Sequence, residues 1–349
     1  MVVFTVYLAR QQGFLPSNPE ILYLYLFLLG LLVIPKALFS LFSIGGLLLG
    51  RCFRRDILRW RRWGERMGVA AVVFSLYVLI YGSFWGFEKM EVRHVDIEFA
   101  DLPPAFDGYR ITLFSDLHVG TYTGKRRAIL ERAVDSINAQ KADLIAFAGD
   151  MQNALPEEID PFIDLLSKLK AKDGVFAARG NHDFSVYSGI KNYVTRAENE
   201  ELTLGKEMDM GWKVLVNGRR FVHRGRDSIV VCGLDNDGEG RFPGKGNIQD
   251  ALWGVNRQQF VVMLEHDPTA WRRKILRKSH VQLTLSGHTH AMQFSLFGWS
   301  PAAFLYREYE GLYKAGDRRL YVTKGLGGVI PFRFGATGEI VVITLKRKK

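Results

Sequence analysis

The sequence predicts an α/β protein, a two-sheet α/β sandwich preceded by N-terminal transmembrane helices. Three observations lead there. Two long apolar runs lie before residue 90. Short apolar runs of five or six residues follow it, and these end abruptly in Asp, Asn or His. Strand-like and helix-like patterns then alternate along the chain. The expected division is a membrane anchor over 1–90 and a second domain over 91–349.

Within the anchor, Met67–Gly86 (MGVAAVVFSLYVLIYGSFWG) is free of charge. Its twenty residues, at about 1.5 Å each, cover a hydrocarbon core of ~30 Å. The earlier run, 21–50, is interrupted by Pro35-Lys36, and each half is too short to cross alone. It reads either as one long span, kinked at Pro35 and tilted, or as a re-entrant hairpin. Between the runs, 51–66 (RCFRRDILRWRRWGER) carries Arg51, Arg54, Arg55, Arg59, Arg61, Arg62 and Arg66. Such a connector is expected to be a cytoplasmic loop under the positive-inside rule. Two crossings then place 91–349 on the periplasmic or extracytoplasmic side. Met1–Ala9 is apolar but too short to span, and it lacks the basic start and cleavage site of a signal peptide. It is either the remnant of a further span or an interfacial lead-in.

Of the net charge of +11, residues 1–90 carry about +6, from ten Lys/Arg against four Asp/Glu. The remainder holds 37 basic and 32 acidic side chains. That surplus is too thin to call for nucleic acid as a partner, whose phosphates require a concentrated basic face. Membrane lipids are the expected partner of the anchor. Cys52 and Cys232 are too far from any thiol or ligand partner in sequence to suggest a disulfide or a thiolate metal site.

Five strands are expected at 110–115, 143–148, 174–178, 260–264 and 281–285, because short apolar runs of this kind are buried on both faces. Helical spacing appears between the first three, with Leu130, Ala133, Val134 and Ile137 in 125–139, and Ile159, Phe162, Ile163, Leu166 and Leu169 in 159–169. This alternation predicts a parallel or mixed sheet with helices on both faces, and ligands gather beyond the carboxyl ends of such strands. Further on, 214–216, an Asn217-Gly218 turn and 221–223 read as a hairpin. Residues 228–233, 319–323 and 340–345 read as additional strands, the last two antiparallel, which completes the two-sheet sandwich.

The polar groups at the strand ends form an ordered set: SDLH, GDMQN, GNHD, EHDP and SGHTH. Five of the eight histidines fall in it, while His94, His223 and His280 do not. Singly each motif is weak; in this order, each just after an apolar run, they are specific. Imidazole, carboxylate and amide oxygen without thiolate suit Mn, Fe, Zn or Co.

On these motifs residues 92–349 resemble the calcineurin-like metallophosphoesterases, and specifically their membrane-tethered bacterial branch. The resemblance implies the metallophosphoesterase type of sandwich in a bacterial inner-membrane protein, with two divalent metal ions. One is held by Asp116, His118, Asp150 and His290; the other by Asp150, Asn181, His266 and His288, with Asp150 bridging. It implies a hydrolase that cleaves a phosphate ester or pyrophosphate bond by metal-hydroxide attack, on a phosphorylated small molecule or a lipid-linked or envelope substrate. A non-catalytic membrane scaffold on the same fold is the alternative, with a nuclease third. His182 is implied as the catalytic group that stabilises or protonates the leaving oxygen, and Asp183 as the residue that holds its imidazole. Scaffold-type relatives typically lose that histidine, and this chain retains it.

Two positions depart from the branch pattern. Ala291-Met292 stands where two glycines are common, and Asn153 where relatives often carry another acidic or polar residue. The apolar stretch 292–306 (MQFSLFGWSPAAFLY) reads either as core packing or as a lip for lipid tails, with Phe297 and Trp299 as its substrate-binding residues. Arg333 in PFRFG, with Lys324-Gly325, reads as a phosphate contact or as part of a surface turn. The terminal KRKK reads as a solvated tail.

Overall fold

In the computed structural model, which describes residues 1–11, 16, 18–53 and 56–348, the chain divides into two compact units, Met1–Gly86 and Phe87–Lys349. The first is helical: α1 (Val2–Ala9), α2 (Pro19–Leu32), α3 (Ile34–Cys52) and α4 (Ile57–Tyr81), the last extended by a π-helical turn, Gly82–Gly86. Two stretches, Pro19–Cys52 and Ile57–Gly86, are long and apolar enough to cross a membrane, and little of either is buried. Pro19–Cys52 runs on through Pro35 without folding back, because proline at the second position of α3 costs no helical hydrogen bond.

The arginine connector is shorter than the expected 51–66 loop. Asp56 caps α4, its Oδ1 accepting the Arg59 N–H at 3.1 Å. Arg59, Arg61, Arg62 and Arg66 therefore lie on the first turns of a helix, with Arg61 paired to Glu65 one turn on at 2.8 Å. Arg54 and Arg55 lie outside the described residues. α3 and α4 pack with glycine at the contact: a Cβ on Gly64 would come to 3.1 Å from the Gly46 Cα. Small residues of this kind let two apolar helices approach backbone to backbone.

The second unit is built on two six-stranded sheets. The first contains β1 (Met90–Phe99), β2 (Arg110–Phe114), β3 (Leu144–Phe147), β4 (Val175–Ala177), β5 (Lys213–Val214) and β12 (Gly338–Arg347), in the order β1-β12-β2-β3-β4-β5. The second contains β6 (Gly218–Arg224), β7 (Asp227–Gly233), β8 (Phe260–Leu264), β9 (Leu283–Ser286), β10 (Gly311–Ala315) and β11 (Arg318–Val322), in the order β10-β11-β9-β8-β7-β6. β2, β3, β4 and β5 are parallel, as are β7, β8, β9 and β11.

Alternation along the strands decides the layering. Ile111, Leu113, Leu144, Ala146 and Phe176 of the first sheet share one buried cluster with Ile229, Val231, Val262, Leu264 and Leu283 of the second. Their neighbours face the other way. Phe114, Ile145 and Phe147 pack beneath α5 (Arg127–Ala139), through Leu130, Val134 and Ile137. Val230, Val261 and Met263 pack beneath Trp271 and Ile275. Helices thus cover one face of each sheet, not both faces of one, because the other faces bury each other.

The Asn217-Gly218 hairpin does not form. Val214 ends β5 in the first sheet, and Gly218 begins β6 in the second, antiparallel to β7. Asn217 does take a left-handed φ of 46°. Its amide, however, ties the crossing between sheets: Oδ1 accepts from Asp235 N–H at 3.1 Å and Asn247 N–H at 2.7 Å. The 159–169 segment forms 3-10 turns and a single α turn, α6 (Ile163–Leu166). A helix with no apolar stripe, α7 (Tyr193–Asp209), follows β4.

Candidate metal centre

Five parallel strand ends supply the site. Asp116 and His118 follow β2, Asp150 follows β3, Asn181 and His182 follow β4, His266 follows β8, and His288 and His290 follow β9. The backbone turns sharply there: Asp116, His118, Asp150, His288 and His290 all have φ between 48° and 75°. Side chains other than glycine rarely adopt this region, and strain of this kind persists where the surroundings over-determine it. Gly180 is required by closeness, since a Cβ there would run into the Asp150 carboxylate.

Ligand atoms of Asp116, His118, Asp150 and His290 all lie within 4.8 Å of one another. His118 Nε2 is 3.3 Å from His290 Nε2, which is 3.4 Å from Asp116 Oδ1. A second group adjoins. His266 Nε2 is 3.1 Å from Asp150 Oδ2, and His288 Nδ1 is 2.8 Å from Asn181 Oδ1. Asp150 Oδ2 also faces His118 Nε2 at 3.6 Å, so one carboxylate oxygen fronts both groups. The other, Oδ1, is taken by the His182 N–H at 2.8 Å.

The tautomers follow from backbone acceptors. A carbonyl can only accept, so His118 Nδ1 donates to Gln152 O at 3.2 Å and His266 Nδ1 to Ala148 O at 2.6 Å. His118 then turns a bare Nε2 lone pair into the cage, whereas burial opposes a charge on His266 but Asp150 and then Asp116 beside its Nε2 raise it to about 10. Burial, and then the neighbouring His182, push His118 down to about 3, and burial holds His290 well below its ordinary range; both are neutral donors. Burial opposes ionisation of Asp150, but His266 and His182 beside it hold it well below the carboxylate range. His266 Nε2 is buried and faces the Asp150 carboxylate. Buried imidazole nitrogens and carboxylate oxygens converging within 4.8 Å of one another are a poor arrangement for a protein core and a fitting one for divalent cations.

Gln152 supports the cage from outside. Its Oε1 accepts from Thr203 of α7 at 2.8 Å, and its Nε2 donates to the His182 carbonyl at 3.2 Å. Asp183 does not hold the His182 ring. Its carboxylate accepts three backbone N–H groups, from Gly180 at 2.7 Å, Met151 at 2.8 Å and Asp150 at 3.0 Å, and so joins the loops after β3 and β4. The ring is held instead by Asn153, whose carbonyl accepts from His182 Nδ1 at 2.5 Å. His182 stands edge to face with His118, with ring centroids 4.6 Å apart.

Residues 109–292 match the family model for calcineurin-like phosphoesterases. The chain belongs to that family. Over 292 residues it is 31% identical to a transmembrane protein with metallophosphoesterase domain from Danio rerio, covering 81% of this chain and 63% of that one. It is likewise 31% identical over 275 residues to the metallophosphoesterase YkuE of Bacillus subtilis, covering 76% of this chain and 89% of the relative. A metallophosphoesterase of Helicobacter pylori is 30% identical, covering 78% and 70%. The chain thus spans less than two thirds of the Danio rerio protein's length. Family and donor set together make this calcineurin-like chain a metal-dependent phosphoesterase.

Within this phosphoesterase the expected Arg333 phosphate contact is corrected. Arg333 is 1% exposed, and its guanidinium donates to the carbonyls of Lys324, Gly325, Gly327 and Ala336. It ties together the loop behind Asp116, with no face left for substrate. Phe297 and Trp299 are not core: Phe297 sits fully exposed at the tip of a tight turn with φ 52°, and Trp299 is half exposed. No described contact joins either ring to the cage. Sequence reasoning missed Tyr306, whose hydroxyl is 3.1 Å from His288 Nε2, and Tyr187, whose hydroxyl accepts from Asn181 Nδ2 at 2.9 Å. Both are single tyrosines in irregular segments, with no pattern to mark them.

Proposed function

We propose that this chain is a membrane-anchored phosphoesterase with a dinuclear metal centre, acting on a lipid-linked or envelope substrate on the extracytoplasmic side of a bacterial inner membrane. The observation that carries the catalytic reading is the pairing of a bridging carboxylate with a free imidazole. Asp150 Oδ2 fronts both donor groups, and His182 has its Nδ1 fixed by Asn153 while, among the described residues, its Nε2 has no hydrogen bond. Asp116, His118, Asp150 and His290 would hold one cation, and Asp150, Asn181, His266 and His288 the other. Two such cations, when bound, neutralise phosphate oxygens and lower the pKa of a shared water from ~15.7 towards ~7.

The residues do the rest. The Asn153 carbonyl accepts from His182 Nδ1, so Nε2 is the atom turned to the leaving oxygen, and a second proton, on Nε2, is the one it would donate there. The cage histidines are buried, and charge interactions are stronger there than in bulk water. Asp183 keeps the Asp150 and Asn181 loops in register.

The membrane reading rests on the two long apolar helices and the arginines between them. The lipid reading rests on the exposed lip after His290, where Phe297 and Leu305 face solvent and Trp299 packs on Phe304 with centroids 5.5 Å apart. The test is an assay of the full chain in lipid nanodiscs with Mn²⁺, on aryl mono- and diesters and on a lipid-phosphate panel. His182→Ala should lower kcat by ~10²–10⁴ while leaving metal content unchanged. Phe297→Ser with Trp299→Ser should hurt lipid phosphates and spare aryl esters; equal loss on both would sink the lipid assignment. A metal-loaded wild type inactive on every ester would favour a scaffold.

A further inference from the structure

β7 ends on the same edge as the ligand-bearing strands. It runs parallel to β8, with Ile229 opposite Phe260 and Gly233 opposite Leu264, so the segment after it leaves the sheet beside His266. That segment is a built hairpin. Asp237 bridges Gly244, Gly238 N–H donates to Pro243 O and Lys245 N–H to Asn236 O, each at 2.9 Å. Asn236 Nδ2 donates to Pro243 O at 2.7 Å. Its tip is a turn closed from Phe242 N–H to Glu239 O, with Gly240 at φ 67°, and it presents Arg241 and Phe242.

The tip reaches the cage. The Phe242 ring meets His288 edge to face, centroids 4.7 Å apart, and the Arg241 guanidinium lies 5.3 Å from the Phe242 ring centre. Tyr306 flanks His288, and Tyr187 tilts over His182 at 4.2 Å. The Tyr306 hydroxyl is 3.1 Å from His288 Nε2 and the Tyr187 hydroxyl 2.9 Å from Asn181 Nδ2, so both stand on the side of the cage that the Phe242 ring covers.

The other charges in the segment are accounted for. Asp237 pairs with Lys274 at 2.5 Å and Arg273 at 3.5 Å, Glu239 lies 3.8 Å from Arg273, and Lys245 pairs with Glu200 at 2.5 Å. Arg241 is exposed, and among the described residues it has no carboxylate within 4.0 Å. An arginine held by a constrained turn above a phosphate-cleaving cage, with no acid of its own, is suited to a bidentate anion.

We propose that Arg241, with the hydroxyls of Tyr187 and Tyr306, forms a second-anion subsite on the Asn181–His288 side of the cage, and that it selects diphosphate substrates over esters with a single phosphate. This rests on the phosphoesterase reading above. Water oxygen bonds to the scissile phosphorus, the bond from that phosphorus to the bridging oxygen breaks, and its electron pair leaves on the departing phosphate. That phosphate lies against Arg241, and the proton of water passes to solvent.

The test compares diadenosine diphosphate with bis-p-nitrophenyl phosphate on the full chain in nanodiscs with Mn²⁺. Wild type should favour the diphosphate. Arg241→Ala should lower the ratio of their kcat/KM values about tenfold, which converts to about 1.4 kcal/mol, through KM for the diphosphate. Arg241→Lys should restore part of the ratio. An unchanged ratio in Arg241→Ala, or a wild type that prefers the diester, overturns the subsite while the phosphoesterase stands. A wild type inactive on both compounds refutes the phosphoesterase reading and the subsite with it.

Discussion

Replacing Asp183 tests how the cage is held, because that side chain does its work through the backbone. Its Oδ2 accepts from Gly180 and Asp150, and its Oδ1 from Met151. Asp183→Ala strands three buried N–H groups, each worth roughly 1–3 kcal/mol when left unpaired. Taking the lower end of each, the loops after β3 and β4 lose about 3 kcal/mol, or about a hundredfold in the rate at which their amides open. Asp183→Asn is milder. With its oxygen at the doubly used position it keeps two bonds and sets an NH₂ against the Met151 N–H, a loss of about 1–3 kcal/mol. Hydrogen exchange read by mass spectrometry on the full chain reports both loops directly. Peptides covering 144–152 and 176–182 should exchange fastest in the alanine variant and at an intermediate rate in the asparagine variant. Unchanged exchange in both peptides would refute the reasoning, and so would equal acceleration by the two substitutions.

Two further outcomes are expected. Glu207 is fully buried, neither carboxylate oxygen has a hydrogen-bond partner among the described residues, and burial followed by the Asp183 charge raises it well above its ordinary 4.5. The folded protein therefore keeps a proton that the unfolded chain loses as pH rises past about 4.5, and stability falls at up to ~1.4 kcal/mol per pH unit across that window. Glu207→Gln should raise the Tm, by more at pH 8 than at pH 5; a gap that does not widen with pH would count against it. Cys52 is exposed at the end of α3 and Cys232 is buried, so a membrane-impermeant maleimide reports sidedness. It should label inside-out vesicles and spare right-side-out ones; the reverse would place the catalytic unit in the cytoplasm.

The strands that carry ligands were legible because burial on both faces leaves unbroken apolar runs, and because each run stops at a residue of another chemistry. Phe260–Leu264 matches to the residue. β1 was not legible. As an edge strand it alternates exposed charged positions with half-buried ones, and its register with β12 is supplied from the far end of the chain. α7 was silent for a different reason: the stripe it buries is Asn199, Thr203 and Glu207, which hydrophobic periodicity cannot register. At Asn217-Gly218 the local turn chemistry was read correctly, but the chain uses the left-handed residue to change sheets. The cage ligands were visible as side chains in motifs. Their supports were not, because Asn153, Gln152 and Ala148 act through main-chain carbonyls, and any residue carries one. Arg333 misled for the same reason, since its partners are four carbonyls that no sequence pattern announces.

In the function proposed above, Asp150 joins two donor groups into one dinuclear centre. Metal analysis of the purified full chain, wild type beside Asp150→Ala, tests it most directly. The wild type should carry about two divalent ions per chain, and Asp150→Ala should lose both, since Oδ2 fronts each group. An Asp150→Ala protein that keeps about two ions, or a wild type that saturates at about one, would contradict it.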